Sequence, residues 1–211
     1  MQITWYFDVI SPFASLQWPR IDKLAAERRV ELRPILLAGL LDHHGHKGPA
    51  EIPGKRLFTY RHALWRAQQQ NRPLRFPPRH PFNPLLALRL CIAAGCTPDA
   101  VGKVLAWIWQ HGRAADSVDD LQPLATSLGI HDLVIATSNA AVKLELKNNF
   151  ERALTAGVFG VPTLEIGKEL FWGEDATEMG LAYLGDPQLF AAPEFKRLED
   201  LPIGIERRAS H

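Results

Sequence analysis

Cysteine is almost missing from this chain: Cys91 and Cys96 are its two in 211 residues. Two are too few for a disulfide framework, and their spacing suggests neither a redox pair nor a zinc site. Long apolar runs are missing as well, so nothing spans a bilayer and no membrane partner is expected. No charge of one sign dominates, since 24 Lys and Arg stand against 23 Asp and Glu for a net +1. That balance gives no reason to expect nucleic acid or an acidic membrane surface as a partner. The first residues lack the basic and apolar regions of a secretory signal, and the expectation is a cytoplasmic protein. What is present is an ordinary globular composition, 46% hydrophobic, with enough chain for one unit or two small lobes.

The most informative stretch lies near the start. Gln2-Ile3-Thr4-Trp5-Tyr6-Phe7 is rich in aromatic and β-branched residues and predicts a strand. Residues 13–28 predict a helix with Leu16, Ile21, Leu24 and Ala25 available for burial and Pro19 as its awkward residue. Pro12 suits the first helical position and Ser11 the N-cap, with its hydroxyl beside the free N–H groups and the positive end of the dipole. Such a terminus is either an ordinary cap or a place that holds an anion.

Residues 30–36 predict a second strand, parallel to the first because a helix joins them. Residues 42–53 turn to glycine, proline and histidine and predict an irregular loop. His43-His44-Gly45-His46 invites a metal reading, but no cysteine or carboxylate cluster completes it, and no metal is expected. Helices are predicted at about 58–70, 84–94, 98–111, 118–128 and 138–156, with a proline-broken extended segment at 72–81 between the first two. Arg56, Arg61 and Arg66 give the first of them a basic side, which is either a solvated face or a source of one fork for a substrate carboxylate. Asn83 precedes the second helix, as a cap or as a substrate contact. Trp107 and Trp109 are two apart, so one belongs in the core and the other nearer the surface or an interface. Strands return at 163–166 and 170–172 around a Gly167-Lys168-Glu169 turn, and Glu174-Asp175 open a helix through Leu184. Those two acids are either dipole partners of the helix or binding groups. The tail from Pro187 to His211 has little pattern beyond one short helical turn near residues 192–198.

Ser11-Pro12-Phe13-Ala14 stands where thioredoxin-like disulfide oxidoreductases carry Cys-Pro-x-Cys, with both cysteines absent. Together with Leu37-Ala38-Gly39-Leu40-Leu41, Lys47-Gly48-Pro49-Ala50-Glu51-Ile52-Pro53, His80-Pro81-Phe82-Asn83-Pro84, Gly160-Val161-Pro162-Thr163 and Phe171-Trp172-Gly173, it resembles the 2-hydroxychromene-2-carboxylate isomerases and kappa-class glutathione transferases. The stretch from Lys47 to Pro53 points more to the isomerases. The resemblance implies an α/β fold: a thioredoxin-like mixed sheet (residues 1–44 and 157–211) with an inserted all-helical domain (residues 45–156).

It further implies glutathione as cofactor, a small aromatic acid as substrate, and a homodimer. Ser11 would be catalytic, donating to a glutathione thiolate beside Phe13. A cis bond at Val161-Pro162 would present the Val161 backbone to the peptide. Asp175 would meet the γ-glutamyl ammonium, with Glu174 in place of the family's serine, asparagine or glutamine. His46 falls nearest the family's glutathione-contacting asparagine. The implied activity is interconversion of 2-hydroxychromene-2-carboxylate and trans-o-hydroxybenzylidenepyruvate through a glutathione thiolate adduct, in the breakdown of aromatic rings. The alternatives are a kappa-class transferase and a non-catalytic thioredoxin-like domain that binds a peptide.

Overall fold

The central strand of the computed structural model, which describes residues 1–205, is β1 (Ile3–Phe7), and all five of its residues are buried. It lies between β2 (Glu31–Pro34), parallel to it, and β3 (Thr163–Ile166), antiparallel, with β4 (Glu169–Trp172) at the far edge. Tyr6 pairs with Thr163, and Thr163 with Trp172. The ends of β1 and β4 and the start of β3 therefore lie together at one end of the sheet. Ile3, Trp5 and Phe7 belong to the main core, whereas Tyr6 packs on the opposite face with Ile35, Leu40 and Val158. Burial on both faces explains why β1 carries an almost unbroken run of large side chains.

α1 (Pro12–Glu27) follows, with Pro12 in its first turn and Pro19 tolerated inside it. Its buried side carries Ala14, Trp18, Ile21 and Leu24, and the Trp18 ring lies 5.5 Å from that of Trp5. α2 (Leu37–His43) lies between the expected strand, 30–36, and the expected loop, 42–53, and takes in the first two residues of that loop. Its signal is not local: the Leu37 N–H is capped by a carboxylate oxygen of Asp8, 29 residues earlier. A 3₁₀ turn, Pro49–Glu51, leads into α3 (Pro53–Gln69), which starts one turn and more before its expected position because Pro53 serves as a first-turn residue.

Between β2 and β3 the described residues hold helices and no strand: α3 is followed by α4 (Leu85–Ala93), α5 (Pro98–Leu105), α6 (Val118–Ser127), α7 (Leu133–Ser138) and α8 (Ala140–Thr155). The expected 98–111 helix changes character within its length, and α7 is a helix the sequence does not predict. α5 gives way to a π-helical turn at Ala106–Gln110. The expected 138–156 helix begins at α8, after α7, because Asn139 leaves helical geometry and caps the Ala141 N–H. α9 (Thr177–Gly185) starts later than expected, so Glu174 and Asp175 stand in the turn before it and not in its first turn. α10 (Pro193–Glu199) is the short helix of the tail, whose last residues, 206–211, lie outside the described ones. No helix among the described residues is long and apolar enough to cross a membrane.

The helical stretch shares one core with the sheet, since Leu88, Val104, Ile108 and Trp109 join Trp5, Phe7 and Trp18 in a single buried cluster. Trp109 is fully buried, and its indole N–H donates to the Val9 carbonyl at 2.8 Å. Trp107 is the more exposed of the pair and lies under the Arg113 guanidinium at 4.1 Å. Replacing Trp109 by Phe keeps most of the packing and removes that donor. The expected cost is about 1–3 kcal/mol of unfolding free energy, from the unsatisfied Val9 carbonyl and the smaller ring, read as a lower denaturant midpoint at unchanged slope. An unchanged midpoint would mean that this bond contributes nothing.

Candidate active site

The backbone after β1 turns sharply and is tied down at every step. The Asp8 carboxylate accepts the N–H of Ile10 at 3.0 Å and that of Leu37 at 2.8 Å. The Asp8 carbonyl accepts the Ser11 N–H at 3.1 Å. Trp109 holds the Val9 carbonyl, and His80 Nε2 lies 2.9 Å from the Ile10 carbonyl. A carbonyl only accepts, so Nε2 carries the proton. Burial lowers the His80 pKa, and the neutral ring then presents Nδ1 as an acceptor to the Tyr60 hydroxyl at 2.7 Å. Burial without a cation raises the Asp8 carboxyl to about 7, against the pull of its two backbone donors.

Ser11 ends this loop with N-cap geometry, φ −86° and ψ 119°, yet its hydroxyl makes no cap bond. Only its carbonyl serves the helix, accepting the Ala14 N–H at 3.1 Å. Among the described residues the hydroxyl is thus unengaged, at the positive end of α1, in a residue that is 8% exposed. Phe13, in the first turn, lies with its ring 5.7 Å from the His62 ring of α3.

From the other side of the same sheet end comes the run Gly160 to Thr163. The Val161-Pro162 bond is cis, as expected, and so is His80-Pro81, for which nothing in the sequence had spoken. Among the described residues the N–H and C=O of Val161 find no backbone partner, while the Pro162 carbonyl accepts from Gly173 N–H at 2.8 Å. Gly160 is approached closely: a Cβ there would lie 2.5 Å from Nε1 of Trp172, and that ring would have to move.

The turn after β4 lies at the same end of the sheet. Glu174 is engaged: Arg66 of α3 grips its carboxylate with Nε at 3.0 Å and Nη2 at 2.8 Å, and Gln70 donates at 2.6 Å. The Glu174 side chain is 9% exposed, so it positions the turn and is not a free acceptor. Asp175 beside it is exposed. Beneath them, buried Gln17 of α1 accepts from Trp5 Nε1 at 2.6 Å and donates to Thr177 Oγ1 at 2.9 Å and the Gly173 carbonyl at 3.1 Å. It fixes the turn to α1.

The sheet end therefore gathers Ser11, Phe13, Val161, Pro162, Glu174 and Asp175. His46 and Asn83 stand on other segments, in the loop after α2 and just before α4. His46 is exposed on its loop, ring to ring with His44 at 5.8 Å. Asn83 is exposed too, and its Oδ1 accepts the Leu85 N–H at 3.0 Å, the capping alternative. Of the three arginines of α3, Arg66 is paired with Glu174, and Arg56 donates to Tyr60 and the His80 carbonyl. Sequence reasoning missed Asp8, Gln17, Tyr60 and His80. For the first two a signal exists, a lone polar residue within an apolar run; for the others the partner is far along the chain.

Neither cysteine can act in place of Ser11. Burial pushes both thiols up, Cys96 to about 12, so neither supplies a thiolate near neutral pH.

A thioredoxin-type sheet end carrying a cis-proline and a helix N-terminus defines a class, and the sequence comparison agrees. Residues 2–185 match the DSBA-like thioredoxin domain, and the chain belongs to that family. Among its relatives is a 2-hydroxychromene-2-carboxylate isomerase of Pseudomonas putida, 30% identical over 185 residues, covering 83% of this chain and 90% of the relative. A glutathione S-transferase kappa 2 of Caenorhabditis elegans is 24% identical over 207 residues, covering 88% and 92%. A solved 2-hydroxychromene-2-carboxylate isomerase superposes with a TM-score of 0.74 at 25% identity, covering 96% of this chain and all of the other.

Proposed function

We propose that the chain is a glutathione-dependent isomerase that interconverts 2-hydroxychromene-2-carboxylate and trans-o-hydroxybenzylidenepyruvate. The observation that carries this reading is the unengaged Ser11 hydroxyl at the N-terminus of α1, in a thioredoxin-like site without a cysteine. Relatives named as an isomerase and as a kappa transferase support an enzyme of this family.

The residues present suit glutathione. The free N–H and C=O of Val161 match a peptide group, as in strand addition. The exposed Asp175 carboxylate suits an α-ammonium, and the Ser11 hydroxyl suits a sulfur anion. Glutathione, when bound, supplies the sulfur nucleophile that frees a conjugated double bond to rotate. The chain then has few tasks of its own. Ser11 donates one hydrogen bond, and the end of α1 favours negative charge beside it. Arg66 and Gln70 hold the Glu174 turn so that Asp175 is presented. Asp8, Trp109 and His80 fix the loop that aims Ser11.

A transferase would use the same sulfur activation, so substrate turnover alone does not separate the two activities. The deciding experiment follows the chromene spectrophotometrically while free glutathione is quantified before and after complete conversion. The expected result is glutathione-dependent conversion with glutathione fully recovered. Loss of one glutathione per product would make the protein a transferase. Neither turnover nor glutathione retention would leave a non-catalytic peptide-binding domain.

A further inference from the structure

Between the 3₁₀ turn Pro49–Glu51 and the start of α3 lies a cavity of about 380 Å³, lined by Ala50, Glu51, Pro53, Arg56, Leu57 and Tyr60. That volume is at the small end of ligand pockets, suited to a single-ring molecule. Ala50, Pro53 and Leu57 make its sides apolar. Two opposite charges border it, the Glu51 carboxylate and the Arg56 guanidinium. Among the described residues neither forms an ion pair, with the other or with any third group. Arg56 is nevertheless oriented: its Nε donates to the Tyr60 hydroxyl at 3.2 Å and its Nη2 to the His80 carbonyl at 3.1 Å. Those bonds leave Nη1 for an outside acceptor.

The cavity is close to the site already described. Tyr60 forms part of its wall, and the Tyr60 hydroxyl is 2.7 Å from His80 Nδ1 while His80 Nε2 is 2.9 Å from the Ile10 carbonyl. One imidazole ring separates the cavity wall from the backbone of the residue before Ser11. Opposite charges left apart around an apolar slot match a ligand that has an anion at one end and a hydrogen-bond donor at the other.

We propose that this cavity is the acid-substrate subsite, and that it selects a planar aromatic hydroxy acid. The carboxylate meets Arg56, the phenolic hydroxyl donates to Glu51, and the ring lies against Leu57, Pro53 and Tyr60. The choice of substrate class rests on the isomerase reading; the cavity, its charges and its link to the Ser11 loop do not.

The test is calorimetric titration, without glutathione, of two unreactive probes: 2-hydroxycinnamate and cinnamate, which lacks the hydroxyl. The wild-type protein is expected to prefer the hydroxy acid by on the order of tenfold, the scale of a hydrogen bond to a charged group. Glu51→Ala should bring the two affinities together, and Arg56→Gln should weaken both by tenfold or more. Should Arg56→Gln fail to fold, Leu57→Trp serves instead. Leu57 is 52% exposed, and a larger ring there fills the cavity, so both acids should be lost without disturbing the bonds of Arg56. A hydroxy-acid preference that survives Glu51→Ala, or binding that survives Leu57→Trp, would overturn the assignment. Glutathione binding is titrated separately on the same proteins and is expected to be unchanged. If wild-type protein binds no glutathione, the isomerase reading falls, while the acid titrations still decide the cavity.

Discussion

Ser11→Ala should turn over substrate about 10- to 100-fold more slowly than wild type while unfolding at nearly the same denaturant concentration. The two halves of that expectation have the same origin. In the structure the Ser11 hydroxyl makes no cap bond, so its removal takes nothing from α1, whose first turn is served by the Ser11 carbonyl. On the proposed reading, what is lost is a hydrogen bond to an anionic sulfur, worth roughly 1.5–3 kcal/mol, which sets the rate loss. The helix terminus remains, and with it a residual activity. Ser15 is the control: it lies in α1 one turn on, buried, away from the cap. Ser15→Ala is expected to keep activity close to wild type, and a loss as large as that of Ser11→Ala would show that the hydroxyl at residue 11 has no special place. Steady-state kinetics beside urea unfolding distinguishes these outcomes.

The second large effect belongs to Asp8. Its carboxylate is fully buried, faces no cation among the described residues, and holds the N–H groups of Ile10 and Leu37. Asp8→Ala leaves both donors without an acceptor, at about 1–3 kcal/mol each. Destabilisation of roughly 2–6 kcal/mol is expected at pH 5, where the wild-type carboxyl is largely protonated. The gap should narrow as pH rises. The folded-state pKa, about 7, lies above the ordinary 3.8. The stability contributed by the protonated group is therefore complete below pH 3.8 and is lost as pH rises through 7, with a total on the order of 4 kcal/mol. Comparing wild type with Asp8→Ala at pH 5 and pH 8 cancels the other titrating groups. A gap that stays constant or widens toward pH 8 would contradict a buried, unpaired carboxyl at this position.

Asp8 also shows where the sequence is legible and where it is not. The β1 to β2 unit, the hairpin of β3 and β4 and most helices follow from local periodicity and breakers, because their burial patterns repeat at strand or helix spacing. α2 does not, since its cap comes from Asp8, and neither propensity nor spacing around Leu37 carries that information. The same distinction runs through the site. Ser11, Val161 and Pro162 stand in short motifs whose geometry is written locally, at a helix start and before a strand. Glu174 looks like an acid free to bind, and only its pairing with Arg66, 108 residues away, shows that it is a brace. His80, in a proline-rich crossing segment, shows nothing of its bond to Ile10, 70 residues earlier.

The central claim is that Ser11 and the start of α1 hold a glutathione sulfur as its anion. The ultraviolet absorbance of the thiolate, titrated with pH in the glutathione complex of wild type and of Ser11→Ala, tests it most directly. The thiol should ionise at lower pH in the wild-type complex than in free glutathione, and Ser11→Ala should move the titration part of the way back. Superimposable curves for the two proteins would contradict the account, because the hydroxyl would then have no influence on the sulfur.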